Sequence, residues 1–328
     1  MSTTRRSIND IPEAATGDGF APTRIPVLAE TLGNTWLADY QASDQYSRAR
    51  SNPELPLRAS DVSKRCDRQF VYAISDTPKS NPPGAASTFR MMLGQMVHSA
   101  VDQAVKGIVA HTLDSQGRQH GWYAEVDVDL RPAGIEGSAH ADLVYYEHGE
   151  AQIVAEVKSM SGFPYKKATT KAGGPPEGPR WDHVMQAAMV AVALNAPRIL
   201  IIYVSMEPTS PQEADRMGLN EIGRFMAEWE IATSTWSDAV YREARRQQRL
   251  LNIMREAPDH LVERRLVSPE VPAGAVVANP ARGTWEVLDV DNRVIKSGTK
   301  WFCGYCDWRD RCIQDGDNTS IVPDQPKF

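Results

Sequence analysis

An α/β domain with a mixed central sheet flanked by helices is the fold class that this sequence predicts, and three observations predict it. A strongly periodic helix is followed by three strand-like segments. A second helix then leads into a short, wholly apolar strand. Further helical stretches follow before the chain turns irregular.

The elements run in this order. Residues 1 to about 25 are polar, with Gly, Pro and Ser among charges, and 1–58 as a whole is expected to be a partly flexible lead-in. Apolar and aromatic residues appear between 31 and 46 (Leu32, Trp36, Leu37, Tyr40, Tyr46), so some structure is expected to begin there. Ser60 to Ile74 reads as a helix, with Ser60 or Asp61 as N-cap. In Phe89 to Leu113, Leu93, Val97, Val101, Ala104 and Ile108 recur at spacings of three and four, which makes one apolar stripe. Tyr123 to Leu130 alternates like a half-buried strand. Ser138 to Tyr146 and Gln152 to Ser159 read as two more, joined by a hairpin turn at Glu147-His148-Gly149-Glu150. Gly162 to Pro179 holds four Gly and four Pro among three Lys and is expected to be a mobile loop. Trp181 to Asn195 is helical, Arg198 to Ser205 is a buried strand, and Met217 to Ile231 and Trp236 to Glu256 are expected helices. From Ser268 the tail reads as irregular until the cysteines, and the main domain expected over 59–315 is followed by a flexible tail, 316–328.

Composition narrows the class without naming it. Hydrophobic content of 41% and charged content of 24% are those of a soluble globular chain. The longest apolar stretch, Val184 to Val204, is broken by Asn195, Pro197 and Arg198, which excludes a membrane span there. The N-terminus has no apolar core behind Arg5 and Arg6, so no secretory signal is expected and the expected location is cytoplasmic. A net charge of -6 neither indicates nor excludes nucleic acid, because a chain can concentrate positive charge along one groove.

The chemistry begins with Asp142 on one strand and Glu156-Val157-Lys158 on the next. Alternation puts Glu156 and Lys158 on one face. A hairpin turning about Gly149 sets Asp142 opposite Glu156 on that same face. Two adjacent carboxylates repel unless a cation lies between them, and oxygen ligands suit Mg²⁺ or Mn²⁺. Lys158 then stands one strand step from the metal, where it could orient or deprotonate a water and offset charge on a phosphate. Strand ends also carry Asp, Glu and Lys as solvated residues. Here, however, Ile153, Val154, Ala155 and Val157 mark the strand as buried, and charges inside it need a reason. Taken alone, His98 on the apolar helix reads as a core or capping residue, with Gly94 one turn earlier permitting close approach. Gln186 is equally ambiguous alone.

The four cysteines are Cys66, Cys303, Cys306 and Cys312, the last three as C-x2-C-x5-C. A disulfide framework is not expected in so long a chain without a secretory signal. Four thiolates suit zinc. They also suit an iron–sulfur cluster, for which one distant cysteine and a local group of three is a known arrangement. With either metal the site would staple the N-terminal helix to the C-terminal tail, with Trp301, Phe302, Tyr305 and Trp308 flanking it.

Together these residues resemble the RecB-like nucleases of the PD-(D/E)XK class, and most closely the CRISPR-associated iron–sulfur exonuclease family. The resemblance runs from about Ala59 to Cys312. It takes in S-x5-C-x-R at Ser60 to Arg68, G-x3-H at Gly94 to His98, EGSAHADLVYY with Asp142, VAEVKS with Glu156 and Lys158, WDHVMQAAM with Gln186, and CGYCDWRDRC. It implies a restriction-endonuclease-like sheet with an iron–sulfur staple, a 4Fe–4S cluster on the four cysteines, and Mg²⁺- or Mn²⁺-dependent cleavage of DNA from ends or on single strands. It also implies that His98 is a ligand beside Asp142 and Glu156, with Gln186 and Lys158 serving the reaction. One departure stands out: Val190 occupies the place of the tyrosine four residues after that glutamine. Lys166, Lys167 and Lys171 are candidate phosphate contacts, or residues of a solvated loop. No G-x4-G-K-[ST] motif occurs, so a helicase or recombination partner, if one is needed, would be a separate protein. Endonuclease action, a catalytically impaired DNA-binding subunit, and a zinc-stapled interaction protein are the competing readings.

Overall fold

The computed structural model describes residues 38, 56–75, 77–108, 112–170, 176–257, 262–267, 271–299, 303–304 and 306–316. The expectations for 1–25 and 31–46 (residue 38 apart), for Lys171, for Trp301, Phe302 and Tyr305, and for nearly all of the 316–328 tail lie outside these residues.

One sheet organises the chain. Its strands are β1 (Leu57–Arg58), β2 (Thr112–Leu113), β3 (Gln119–Asp129), β4 (Gly137–Glu147), β5 (Glu150–Met160), β6 (Arg198–Ser205) and β7 (Met226–Ala232). The order is β2-β3-β4-β5-β6-β7, with β1 alongside β4. The β5–β6 and β1–β4 pairs are parallel and the others antiparallel, so the sheet is mixed, as expected. Alternation sorts the side chains. Leu143, Ala155 and Val157 line one face, where Val101 and Val105 of α2 (Ala85–Ile108) cover them. Val144, Val154, Ile199 and Ile201 line the other. There α4 (Trp181–Ala193) and α6 (Ser237–Glu256) supply Met185, Ala188, Val240 and Leu250. This places the main core between the sheet and that helix pair. Among the described residues no helix is long and apolar enough to cross a membrane.

The β4–β5 hairpin turns through His148 (φ 51) and Gly149 (φ 84), both left-handed, as a two-residue turn between antiparallel strands requires. Glu147 pairs with Glu150 and Tyr146 with Ala151. A bulge then absorbs Gln152, and Tyr145, Val144 and Leu143 pair with Ile153, Val154 and Ala155. Beyond the bulge the register is the one that a turn about Gly149 predicts.

Several expected elements are corrected. The helix expected from Ser60 to Ile74 divides: a 3-10 turn spans Ala59–Ser63, and α1 (Asp67–Ile74) starts only after extended Cys66. Asp61 causes the early turn by accepting the Arg58 N–H at 2.9 Å. The loop expected over 162–179 opens with a helix, α3 (Gly162–Thr169), anchored by the fully buried Tyr165, whose hydroxyl donates to the Gly223 carbonyl. The helix expected over 217–231 is instead a short α5 (Pro211–Met217), closed by left-handed Gly218, and then strand β7. In β7, Ala227, Trp229 and Ile231 alternate with exposed Glu228 and Glu230, a period of two that outweighs helix propensity. The tail expected to be irregular carries a small antiparallel sheet of β8 (Val276–Asn279), β9 (Thr284–Leu288) and β10 (Val294–Thr299) ahead of α7 (Arg309–Gln314).

Gly137, where β1 meets β4, has no room for a side chain: a Cβ there would lie 2.7 Å from the Leu57 carbonyl oxygen. Gly137→Ala should therefore cost about 1–3 kcal/mol, because backbone rather than a side-chain tip must move. Urea denaturation measures this, and a loss under about 0.5 kcal/mol would show that β1 shifts without penalty.

Candidate active site

The site forms where β4 and β5 part. One edge of β4 follows β3, while the other is shared: β5 takes its C-terminal end from Leu143, and β1 takes Gly137 and Ser138. Residues 139–142 of that edge have no strand partner among the described residues. Asp142 fills the gap, its Oδ2 accepting the Val157 N–H at 2.7 Å. A side chain thus satisfies a backbone donor that the diverging strand cannot. One step beyond the Leu143–Ala155 pair, Asp142 stands opposite Glu156.

Glu156 is 2% exposed, and its Oε1 lies 2.5 Å from Lys158 Nζ. Burial pushes the Glu156 carboxyl up to about 7, and the Lys158 ammonium pulls it back only in part. Burial works against the Lys158 charge, yet Glu156 and Asp142 outweigh it and hold the ammonium above its ordinary range. Lys158 Nζ also donates to Gln186 Oε1 at 3.3 Å, so α4 reaches the strand residues through that amide.

His98 arrives from α2. Gly94, one turn earlier, lets the helix settle on β5; a Cβ there would come within 2.9 Å of Ser159 Oγ. His98 Nδ1 lies 3.5 Å from Asp142 Oδ1, and this hydrogen bond, opposed by burial, raises the imidazole pKa.

Glu125 is the residue that sequence reasoning missed. It lies on β3 between the Ala124–Leu143 and Val126–Ala141 pairs, which sets it opposite Asp142. Its backbone is left-handed at φ 50, a conformation that costs a glutamate about 1–3 kcal/mol. One ligand atom from each of His98, Glu125 and Asp142 lies within 4.8 Å of the others. Glu156 is outside this trio, its carboxylate turned to Lys158. The donor set of one imidazole nitrogen and two carboxylates suits a divalent cation.

The remaining candidates fall elsewhere. Lys166 pairs with Glu213 at 2.6 Å and Lys167 with Glu177 at 2.8 Å. Val190 is 2% exposed and packs in the main core, one turn beyond Gln186. At the start of α4, Asp182 holds Arg180 at 2.7 Å and Arg65 at 3.4 Å.

Cys66, Cys303, Cys306 and Cys312 line one cavity, brought together by the C-terminal segments. Cys66 bridges to Leu266, and Asp67 N donates to the Arg265 carbonyl at 3.0 Å. Further hydrogen bonds join α1 and the residues after it to the residues flanking α7, across more than two hundred residues: Tyr72 to Asp315 at 2.6 Å, and Trp308 Nε1 to the Thr77 carbonyl at 2.7 Å. Burial pushes the thiols of Cys66 and Cys303 up to about 12 and that of Cys306 up to about 11. Among the described residues no three of these sulfurs gather within 4.8 Å of one another.

No protein-family model matches the chain, and no curated protein matches it significantly. Solved structures similar to it include SSO0001, at 17% identity and TM-score 0.37, covering 68% of this chain and 86% of that one. An alkaline exonuclease from Laribacter hongkongensis is 12% identical with TM-score 0.34, covering 69% and 98%. A phage-related exonuclease from Haemophilus somnus is 12% identical with TM-score 0.31, covering 63% and 97%. All three scores are below 0.5.

His183, one residue after Asp182, bonds to the buried Tyr203 hydroxyl at 2.8 Å, and burial pushes its pKa down to about 3. The unfolded chain takes up a proton near pH 6.5 that the folded chain refuses. The stability this neutral imidazole contributes is therefore complete above pH 6.5 and is lost as pH falls towards 3. Denaturation curves from pH 7 to 4 should fall less steeply for His183→Asn than for the wild type. Parallel curves would show that His183 is not held neutral by the fold.

Proposed function

We propose that this chain is a metal-dependent DNA nuclease with a restriction-endonuclease-like fold, hydrolysing phosphodiester bonds at DNA ends or on single strands. The observation that carries the reading is the strand fork itself. There His98, Glu125 and Asp142 converge beside the buried Glu156–Lys158 pair. A Mg²⁺ or Mn²⁺ ion held by His98, Asp142 and Glu125, with Glu156 adjacent, would polarise the phosphate and acidify a water when bound.

The chain's own groups divide the remaining work. Asp142 is fixed by the Val157 N–H, so it presents one oxygen in a set direction. The proton that His98 shares with Asp142 gives way when a cation binds, which makes metal affinity fall with acid. Lys158 is held protonated by its carboxylates, which suits it to offsetting charge on a phosphate rather than to taking a proton from water. Gln186, donating from its amide nitrogen while its oxygen holds Lys158, is placed to orient a water or a phosphate oxygen.

The cysteine cavity supports a 4Fe–4S cluster on Cys66, Cys303, Cys306 and Cys312. What supports this reading is that all four thiols line one cavity, with one distant cysteine and a local group of three, a known arrangement for such a cluster. Such a cluster would supply a rigid cross-link between α1 and the tail.

The protein should be purified without oxygen, assayed for iron and sulfide, and incubated with end-labelled single-stranded DNA and Mn²⁺. Lys158→Ala should slow cleavage about 10²- to 10⁴-fold. Cleavage at the wild-type rate by both Lys158→Ala and Glu156→Ala would sink the assignment. Glu125→Gln should raise the Mn²⁺ concentration for half-maximal rate about ten- to a hundredfold, with much of the saturated rate retained. An unchanged metal requirement would remove Glu125 from the site.

A further inference from the structure

Arg180 stands at the entry to α4, the helix whose Gln186 takes the Lys158 ammonium. Its backbone N–H donates to the Tyr203 hydroxyl at 2.8 Å. Tyr203 is fully buried and is the residue paired with Lys158 across β5 and β6. The backbone of Arg180 is thus fixed against the strands that carry the candidate chemistry. Its side chain is fixed as well: Nε lies 3.1 Å from one Asp182 carboxylate oxygen and Nη2 2.7 Å from the other. A two-point hold of this kind presents the guanidinium in one orientation.

Burial divides this ion pair unevenly. The Asp182 side chain is 7% exposed and that of Arg180 48%, so solvent meets the guanidinium while the carboxylate lies beneath it. Asp182 occupies two of the five N–H donors of the guanidinium, and the others suit a phosphate oxygen arriving from solvent. Lys166 and Lys167 lack this arrangement. Their partners Glu213 and Glu177 are about as exposed as the lysines themselves, so each of those pairs shows an incoming phosphate both signs of charge.

We propose that Arg180 binds a phosphate of the DNA strand that neighbours the scissile one; this rests on the reading that the strand fork cleaves DNA. Lys158 is committed to Gln186, one turn beyond Asp182, whereas Arg180 is committed to Asp182 itself. The two cations therefore stand apart along α4 and serve different phosphates of one strand. Phosphate contacts position a strand without reading its bases, so Arg180 sets the register of the strand across the fork and adds no sequence preference.

The test measures binding of a fluorescein-labelled single-stranded oligonucleotide to the full chain by fluorescence anisotropy, with Ca²⁺ replacing Mn²⁺ to keep the strand intact. R180Q should weaken binding about tenfold and lower the slope of log affinity against log salt by about 0.7, the share of one single-strand phosphate. R180K, which keeps the charge, should retain most of both. Replacing the phosphates one at a time by neutral methylphosphonates should expose one position at which the wild type loses affinity and R180Q loses none. Such a coupling between one side chain and one phosphate does not arise from a merely structural role. Where R180Q fails to fold, R180K carries the comparison, and its single-point contact should soften the loss at that same position. A wild type and a folded variant with the same profile at every position would overturn the proposal while cleavage by the fork stands. A wild type that neither binds nor cleaves DNA would overturn the nuclease reading, and the proposal with it.

Discussion

The bond from the Val157 N–H to Asp142 is the interaction on which the rest of the site depends. A continuous β4–β5 ladder would close the gap, and Asp142 would be one more side chain above a sheet. Because β1 takes one end of that β4 edge and β5 the other, the sheet opens for a few residues between them. Opening a buried ladder leaves polar backbone groups to satisfy, and a short carboxylate at the point of divergence does so. The same carboxylate is left with a second oxygen, and His98 and Glu125 collect around it. Strand divergence, hydrogen-bond satisfaction and the clustering of ligands are consequences of one another.

Much of the charge buried among the described residues is paired. Glu156 and Lys158 are buried together: the carboxylates hold Lys158 charged, while Lys158 offsets only part of the burial that pushes the Glu156 carboxyl up. Asp67, Glu243 and Arg246 repeat the arrangement between α1 and α6: Arg246 Nε lies 2.6 Å from Asp67 and Nη1 2.7 Å from Glu243. The second network has the opposite use. Its groups are saturated by one another, so it fixes two helices. The fork leaves oxygens directed at a common point, so it can hold something more.

Much of this was legible in the sequence, for definite reasons. The Asp142–Glu156 relation follows from a short polar turn and strict alternation, and a bulge at Gln152 restored the register that a turn one residue shorter would have lost. The α2 stripe and the buried β6 run were equally plain, since periodicity records which side of an element meets the core. Glu125 was not legible. Its role depends on a left-handed φ inside a strand, and nothing in Ala124-Glu125-Val126 separates that from an ordinary solvated glutamate. β7 was misread because Met217 to Phe225 has no strong period, and its ambiguity masked the alternation that begins at Met226. The cysteine spacing told that four thiols belong together; Arg68 and Arg264 beside Cys312 come from positions that only the folded chain makes adjacent.

The cysteine cavity and the strand fork are joined by a short line of contacts. Arg65 precedes Cys66, lines the same cavity and reaches Asp182 in the first turn of α4 at 3.4 Å. One turn further along α4, Gln186 accepts from Lys158. Cys66 itself caps α1, and the Arg65 carbonyl accepts the Val267 N–H at 2.7 Å, so the backbone around the first cysteine is held on both sides. Displacing Cys66 would therefore move Arg65, and with it the start of the helix that orients Lys158. Direct hydrogen bonds from Tyr72 to Asp315 and from Trp308 to the Thr77 carbonyl already tie α1 and the residues after it to the two ends of α7. The proposed metal centre, when bound, would add to these bonds by holding Cys66 and Arg65 in fixed positions. Any effect of such a centre on the fork would run through the N-terminus of α4.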